Sequence, residues 1–178
     1  LDLDALRHNA RLLEEKLGAD CRLMAVVKAD AYGHGAVPVA RALAEQGVTA
    51  FAVACLAEGA ALRRAGVEGT ILVLGYTPPE EGAELVRWRL HQAVADEAHA
   101  AALSALGLSL PVHLALDTGM HRLGIPWEDR EAVRRVCRLP GLRLEGTFSH
   151  LCAADSPAAE DRAFTRGQLE RFYSTVAW

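Results

Sequence analysis

A regular alternation of short apolar runs with amphipathic segments constrains the fold of this 178-residue chain more than any other feature. Six apolar runs have the length of a strand, and a segment with helical periodicity follows each of them. The predicted strands are Leu23–Val27, Ala50–Ala54, Thr70–Leu74, His91–Ala95, Val112–Asp117 and Leu144–His150. The predicted helices are Ala36–Gln46, Ala57–Ala65, Glu80–Arg89, Glu97–Leu106, Arg130–Arg138 and Thr165–Val176. This order predicts an α/β protein with parallel strands, because each return to a parallel strand needs a crossover helix.

Two parallel architectures are consistent with this alternation of strands and helices: an open doubly wound sheet and a (β/α)8 TIM-type barrel. A glycine-rich GxGxxG turn after a strand would favour the open sheet, and the sequence has none. Six βα units amount to about three quarters of a barrel of roughly 250 residues. The sequence therefore predicts a single, partial barrel domain over residues 1–178 that lacks its last two units and belongs to a longer protein.

Local signals predict two helix starts. Thr77 is followed by Pro78 and by Glu80, which is the pattern of an N-cap with a capping box. Thr165 and Gln168 repeat this pattern at the last helix. The last helix also carries apolar residues at the i, i+3, i+4, i+7 spacing of one buried face. These residues are Leu169, Phe172, Tyr173 and Val176.

Composition and charge argue against several classes of protein. The net charge is −4 and no stretch concentrates Lys and Arg, so we expect no nucleic-acid partner. No apolar run approaches the roughly 18 residues of a membrane helix. The histidines lack a second ligand at helical spacing, so we expect no metal site. The cysteines are far apart and are interpreted as small buried residues of a reduced, cytoplasmic protein. They are Cys21, Cys55, Cys137 and Cys152.

A lysine ends the first predicted strand within "LMAVVKADAYGHG", residues 23–35. If Lys28 continues the strand, it shares a face with Met24 and Val26 and lies at the rim where barrels build their active sites. An amine partly removed from water loses its proton more readily and can condense with an aldehyde. The alternative is a rim lysine that forms an ion pair with Asp30.

Three strand-end segments resemble the motifs of the alanine racemase family. "AVVKADAYGHG" is similar to the cofactor-lysine motif of that family, which binds pyridoxal 5′-phosphate (PLP). "LALDTGMHRLG" at 114–124 resembles its second motif and "GTFSHL" at 146–151 its third. The motifs follow the family's order, and the similarity covers essentially the whole chain. "HLCAADS" at 150–156 also resembles the racemase domains of membrane-bound serine/alanine racemases linked to vancomycin resistance.

The resemblance implies a PLP site of four residues. Lys28 would form the covalent link to PLP and act as one catalytic base, and Tyr32 would donate a hydrogen bond to the phosphate. Arg122, also catalytic, would contact the phenolic oxygen of PLP and the substrate carboxylate. His150 would join the hydrogen-bond network below the pyridine ring. The structural alternatives are a Tyr32 packed on a helix, an Arg122 paired with Asp117 and a His150 buried in the core.

The resemblance also implies the reaction, which is PLP-dependent conversion of L-alanine to D-alanine for peptidoglycan precursors. In the family a homodimer carries it out, and the second base is a tyrosine from the C-terminal β-domain of the partner subunit. That domain is not part of these 178 residues, so we expect the chain alone to be inactive. The alternatives are serine as substrate, a PLP-carrying barrel without catalysis, and a barrel whose lysine is purely structural.

One position departs from the family's pattern. Many members carry a lysine seven residues before the arginine, often modified to a carbamate that positions that arginine. Ala115 occupies this position here. Either another group orients Arg122, with His113 and Asp117 on the same face of the strand, or Arg122 is less firmly held.

Overall fold

The computed structural model describes residues 1–177. The chain falls into two compact units, of which the first is Leu1–Gln92 and the second begins at Ala93.

Short strands alternate with helices through the described chain. The strands are β1 (Met24–Val26), β2 (Ala50–Val53), β3 (Thr70–Val73), β4 (His91–Val94), β5 (Leu110–Asp117), β6 (Ile125–Pro126) and β7 (Leu142–Ser149). The helices are α1 (Leu3–Glu14), α2 (Lys28–Tyr32), α3 (Ala36–Ala44), α4 (Leu56–Arg64), α5 (Gly82–Arg87), α6 (Glu97–Ser104), α7 (Arg130–Cys137) and α8 (Ala159–Val176). A 3₁₀ turn (Pro79–Glu81) precedes α5. The six predicted strands are present, and only the two-residue β6 was not predicted.

Parallel pairing organises the first unit. Phe51 of β2 lies opposite Ala25 of β1 and Ile71 of β3, and the start of β4 continues the parallel order beside β3. Phe51 and Ile71 are fully buried on one face, and Ala52 and Leu72 are as deeply buried on the other. Burial on both faces explains why these strands are continuous apolar runs instead of alternating ones.

In the second unit, β5 pairs in parallel with both β6 and β7. Its apolar side chains are buried, including Leu110, Leu114 and Leu116. Leu116 near the end of β5 lies opposite Ser149 at the end of β7. The carboxyl ends of these two strands therefore reach the same edge, and the polar residues that follow them are brought close together.

The predicted N-cap at Thr77 is wrong. Pro78 stands at the N-cap position of the 3₁₀ turn, and α5 begins only at Gly82. Thr77 is buried and its hydroxyl donates to Oε1 of the buried Gln92 at 2.5 Å. A buried polar group needs such a partner, and this requirement outweighs the local capping signal.

The predicted start of the last helix at Thr165 is also wrong, because α8 begins at Ala159. Pro157 stands just outside the helix. Glu160 and Asp161 occupy its first turn, where acidic side chains interact favourably with the helix dipole. Thr165 consequently lies inside α8 and caps nothing.

The cysteines correct another expectation, because all four are exposed instead of buried. Over residues 1–177, the structure contains no helix with the length and apolar character needed to cross a membrane.

Candidate functional site

Lys28 lies just beyond the carboxyl end of β1 and is half-buried. Its Nζ atom is 6.0 Å from the centroid of the Tyr32 ring, so the structure brings these two predicted site residues together. Over the described residues, no carboxylate lies within ion-pair distance of this amine. Asp30, the alternative partner, instead accepts the backbone N–H of Ala36 at 2.6 Å. The contacts therefore do not support the alternative of a structural ion pair.

The segment Lys28–Tyr32, called the lysine turn below, is a left-handed turn. The four residues that follow Lys28 have φ angles between 51° and 54°, and none of them is glycine. A left-handed conformation costs a non-glycine residue about 1–2 kcal/mol. Tyr32 at the end of the turn is 65% exposed, which contradicts the alternative that it packs on a helix. The backbone strain of four successive non-glycine residues at positive φ persists only where the surrounding structure holds the turn in place.

Glu58 supplies part of that support. Its Oε1 accepts the N–H of Ala29 at 2.9 Å, and its Oε2 accepts the N–H of Ala54 at 2.7 Å. Hydrogen bonds to a charged acceptor contribute about 1.5–3 kcal/mol each. Because Ala29 follows β1 and Ala54 follows β2, this carboxylate ties the ends of two neighbouring strands. The sequence contained one signal for Glu58, since it is the third residue of α4, where a glutamate often reaches back to backbone N–H groups.

The loop that carries Arg122 is organised by Asp117 at the end of β5. Oδ1 of Asp117 accepts the N–H groups of Gly119 and His121 at 2.9 and 3.0 Å, and Oδ2 lies 3.0 Å from Nδ1 of His121. Burial acts to raise the pKa of Asp117, but the two N–H bonds and the His121 ring outweigh burial and lower that pKa below its ordinary value. Arg122 is exposed and, among the described residues, forms no ion pair with this carboxylate.

Ala115 and His113 bear on how Arg122 is held. Ala115 is buried and lies opposite Phe148, and its methyl group offers no polar atom to an arginine. The His113 ring lies against the backbone of Gly146. Of the two groups proposed to replace the family's lysine, Asp117 is the one that holds the backbone leading to Arg122.

His150 follows β7 and is exposed, which contradicts the alternative of a core histidine. Its carbonyl oxygen accepts a hydrogen bond from Nε2 of Gln168 at 3.1 Å. Gln168 is fully buried, and it also donates to Oγ1 of Thr118 and accepts the N–H of Cys152. This amide ties the ends of β5 and β7 to α8, and it was not recognised as a site residue from the sequence.

Each of the four predicted site residues follows the carboxyl end of a parallel strand. Lys28 and Tyr32 belong to the first unit, and Arg122 and His150 belong to the second. Within residues 1–177, no group of three His, Cys, Asp or Glu side chains is arranged to hold a metal ion. The chemistry available to these positions is that of an amine, a phenol, a guanidinium group and an imidazole.

Comparisons with known proteins extend this description. The family model for the N-terminal domain of alanine racemase matches residues 1–178. An alanine racemase of Geobacter sp. (strain M21) is 43% identical over 183 residues, covering 99% of this chain and 48% of the relative. A serine/alanine racemase of Enterococcus gallinarum is 42% identical over 168 residues, covering 94% of this chain and 24% of the relative. The crystal structure of alanine racemase from E. faecalis superposes with a TM-score of 0.89 at 36% identity, covering 99% of this chain and 49% of that one.

The parallel βα repeats and the structural match define a TIM-type barrel domain, in agreement with the predicted fold class. The chain belongs to the alanine racemase family, which is PLP-dependent. It spans about half or less of the length of the curated relatives it matches. The residues of the first unit fit this cofactor, because Lys28 offers an amine that no described carboxylate neutralises and Tyr32 offers an exposed phenol donor beside it.

Proposed function

We propose that the protein containing this chain catalyses PLP-dependent racemisation of a small amino acid, converting L-alanine to D-alanine. The observation that carries this proposal is the half-buried Lys28 amine, which lies beyond a parallel strand, beside Tyr32 and without a carboxylate partner among the described residues. An amine that is not held in an ion pair is available to condense with the aldehyde group of PLP.

The residues of the chain have separate tasks in this reaction. PLP, when bound, supplies an electron sink that stabilises negative charge at the Cα atom of the amino acid. The Lys28 amine holds the cofactor and then removes or returns the Cα proton on one face. The Tyr32 phenol donates to the phosphate, and the Arg122 guanidinium group binds the substrate carboxylate and the phenolic oxygen. His150 belongs to the hydrogen-bond network below the ring.

Racemisation needs a second acid/base on the opposite face of Cα. In our proposal this group is a tyrosine from a C-terminal β-domain, contributed by the partner subunit of a homodimer. The 178-residue chain supplies one of the two bases, so by itself it is expected to racemise alanine much more slowly than the complete protein.

Alanine is the proposed substrate because relatives that are 42–43% identical over nearly the whole chain are named alanine racemases. Serine is the second candidate, favoured by the 42% identity to a serine/alanine racemase. D-Alanine made in this way would supply peptidoglycan precursors in the cytoplasm, a reducing compartment that suits four exposed cysteine thiols.

The test is to express the complete gene product, saturate it with PLP and measure D-alanine and D-serine formed from the L-enantiomers by chiral chromatography. We expect D-alanine from the wild type and none above background from Lys28→Ala. The 178-residue chain is expected to be at least about a hundredfold slower, since a general acid/base contributes about 10²–10⁴-fold. A PLP-loaded wild type that forms neither product would contradict the proposal and indicate a PLP carrier without catalysis.

A further inference from the structure

We propose that Glu58 is a positioning residue that fixes the direction in which Lys28 presents its amine to the cofactor. This inference rests on the proposed function, in which Lys28 holds PLP. Glu58 does not touch the cofactor in this proposal. It acts through the backbone at the start of the lysine turn.

The first step of the argument is the identity of the bound N–H. The N–H of Ala29 belongs to the peptide group that joins Lys28 to Ala29, and it donates to Oε1 of Glu58 at 2.9 Å. Holding this peptide plane fixes the ψ angle of Lys28, because the amide is planar. The direction in which the lysine side chain leaves the backbone is fixed with it.

The second step is the part of the fold to which Glu58 ties that peptide plane. The other oxygen of Glu58 accepts the N–H of Ala54 at 2.7 Å, at the end of β2. The residue before Lys28 is also tied to β2, since the N–H of Val27 donates to the carbonyl oxygen of Ala52 at 2.8 Å. The backbone on both sides of Lys28 is therefore held to the same neighbouring strand.

The third step is the strain that this support must oppose. The lysine turn holds four successive non-glycine residues at positive φ. Asp30 secures the far side of the turn, where its side chain accepts the N–H of Ala36 and its carbonyl oxygen accepts that of Gly35. Glu58 is the side chain that secures the near side, next to Lys28. Loss of Glu58 is expected to let the peptide plane after Lys28 rotate.

The experiment measures how fast PLP is captured on Lys28 in the complete gene product. Each protein is mixed with PLP, quenched with borohydride at set times, digested, and the modified Lys28 peptide is quantified by mass spectrometry. The variants are Glu58→Ala and Glu58→Gln. The matched control is Glu84→Ala, because Glu84 is a helix glutamate that hydrogen-bonds Trp88 and Arg87 and makes no bond to the lysine turn.

We expect Glu58→Ala to slow capture by at least about tenfold, because two charge-assisted hydrogen bonds are lost. Glu58→Gln is expected to fall between Glu58→Ala and the wild type. Its amide oxygen still accepts one N–H, while its NH₂ group meets the other N–H as a second donor. The Glu84→Ala control is expected to capture PLP at the wild-type rate.

Melting temperature and amide hydrogen exchange separate positioning from a merely structural role. At a temperature where every variant is folded, positioning predicts slow capture together with faster exchange of the Ala29 and Ala54 amides. Slow capture that only follows the fraction of unfolded protein would overturn the inference. If Glu58→Ala does not fold, the folded Glu58→Gln variant decides, and wild-type capture by it would overturn the inference.

The two proposals fail differently. If the wild type captures no PLP on Lys28, the proposed function fails, and the role of Glu58 fails with it. If the wild type captures PLP and Glu58→Ala captures it equally fast, only the role of Glu58 is overturned.

Discussion

Two carboxylates of this chain bind backbone N–H groups next to residues of the proposed site. Glu58 binds the N–H that follows Lys28, and Asp117 binds the N–H that precedes Arg122. A hydrogen bond to a charged acceptor is stronger than one to a neutral acceptor, so each carboxylate holds its backbone segment firmly. Over residues 1–177, the Lys28 amine and the Arg122 guanidinium group themselves form no ion pair with a carboxylate.

Asp117 gives a prediction for the dependence of stability on pH. Its pKa is lower in the folded protein than its ordinary value, so the ionised form stabilises the fold. This contribution is complete above the unfolded pKa of about 4 and is lost as the pH falls through the lower folded pKa. Asp117→Asn is therefore expected to reduce the free energy of unfolding at neutral pH, with a difference from wild type that shrinks below pH of about 4.

Urea unfolding of wild type and Asp117→Asn over a pH series checks this expectation. Asp155→Asn serves as the control, because Asp155 is exposed and is expected to show little difference from wild type at any pH. A difference between Asp117→Asn and wild type that stays constant through the acid range would contradict the assigned role.

Residue identity alone marked some side chains as candidate site residues and missed others. Lys28, Tyr32 and Arg122 lie within motifs that mark them in the sequence. Glu58 is 29 residues from the N–H of Ala29 that it binds, and the bond exists only because β1 and β2 are neighbours. Such a partner becomes visible only once the strand order is known.

At the scale of elements, apolar periodicity predicted the strands within about two residues, and most of the residues of β2 to β5 are buried. Apolar periodicity predicted the wrong buried face for α8. Leu169, Tyr173 and Val176 are exposed, while Gln168 and Thr175 are buried. The Gln168 amide is buried because its hydrogen bonds join the ends of β5 and β7. The spacing of apolar residues along a helix cannot predict such bonds.

The lysine turn was not predicted for a different reason. Turn prediction relies on glycine and asparagine to mark positive φ, and Ala29–Tyr32 contains neither. Side chains and backbone groups distant in sequence impose its conformation, so it follows from the assembled fold and not from local preference.

The loop after β5 gives a prediction at this scale. Gly124 has φ +115°, and a Cβ atom there would lie 2.6 Å from the backbone nitrogen of Asp117. Gly107 also has positive φ, +65°, but a Cβ atom there would meet nothing within 4 Å. We expect Gly124→Ala to reduce the free energy of unfolding by about 2–4 kcal/mol and Gly107→Ala by about 1 kcal/mol.

Chemical denaturation of both glycine variants, compared with the wild type, measures these differences. Because the two substitutions are chemically identical, the contrast reports the contact with the backbone of β5 together with the larger positive φ of Gly124. Equal losses of stability in the two variants would show that the close approach at Gly124 is unimportant.

At the scale of the whole molecule, strand and helix periodicity is compatible with two architectures, and the absence of a GxGxxG turn together with the number of βα units predicted the barrel. A doubly wound sheet and a barrel have the same alternation of strands and helices along the chain. They differ in whether the sheet closes on itself, and hydrophobic periodicity carries no information about that closure. The structural match to solved racemases decides for the barrel. The chain spans about half of such relatives, so the activity of the complete protein is a proposal that the Lys28 chemistry must support.

Peptide mapping of the PLP adduct tests that chemistry most directly. Residues 1–178 contain two lysines, Lys28 and the exposed Lys16, which offers a matched control. After PLP loading and borohydride reduction of the complete gene product, we predict modification of Lys28, unchanged labelling in Lys16→Ala and none at this site in Lys28→Ala. Modification of Lys16 to the same extent as Lys28, or an unmodified Lys28 in the PLP-loaded wild type, would contradict the account.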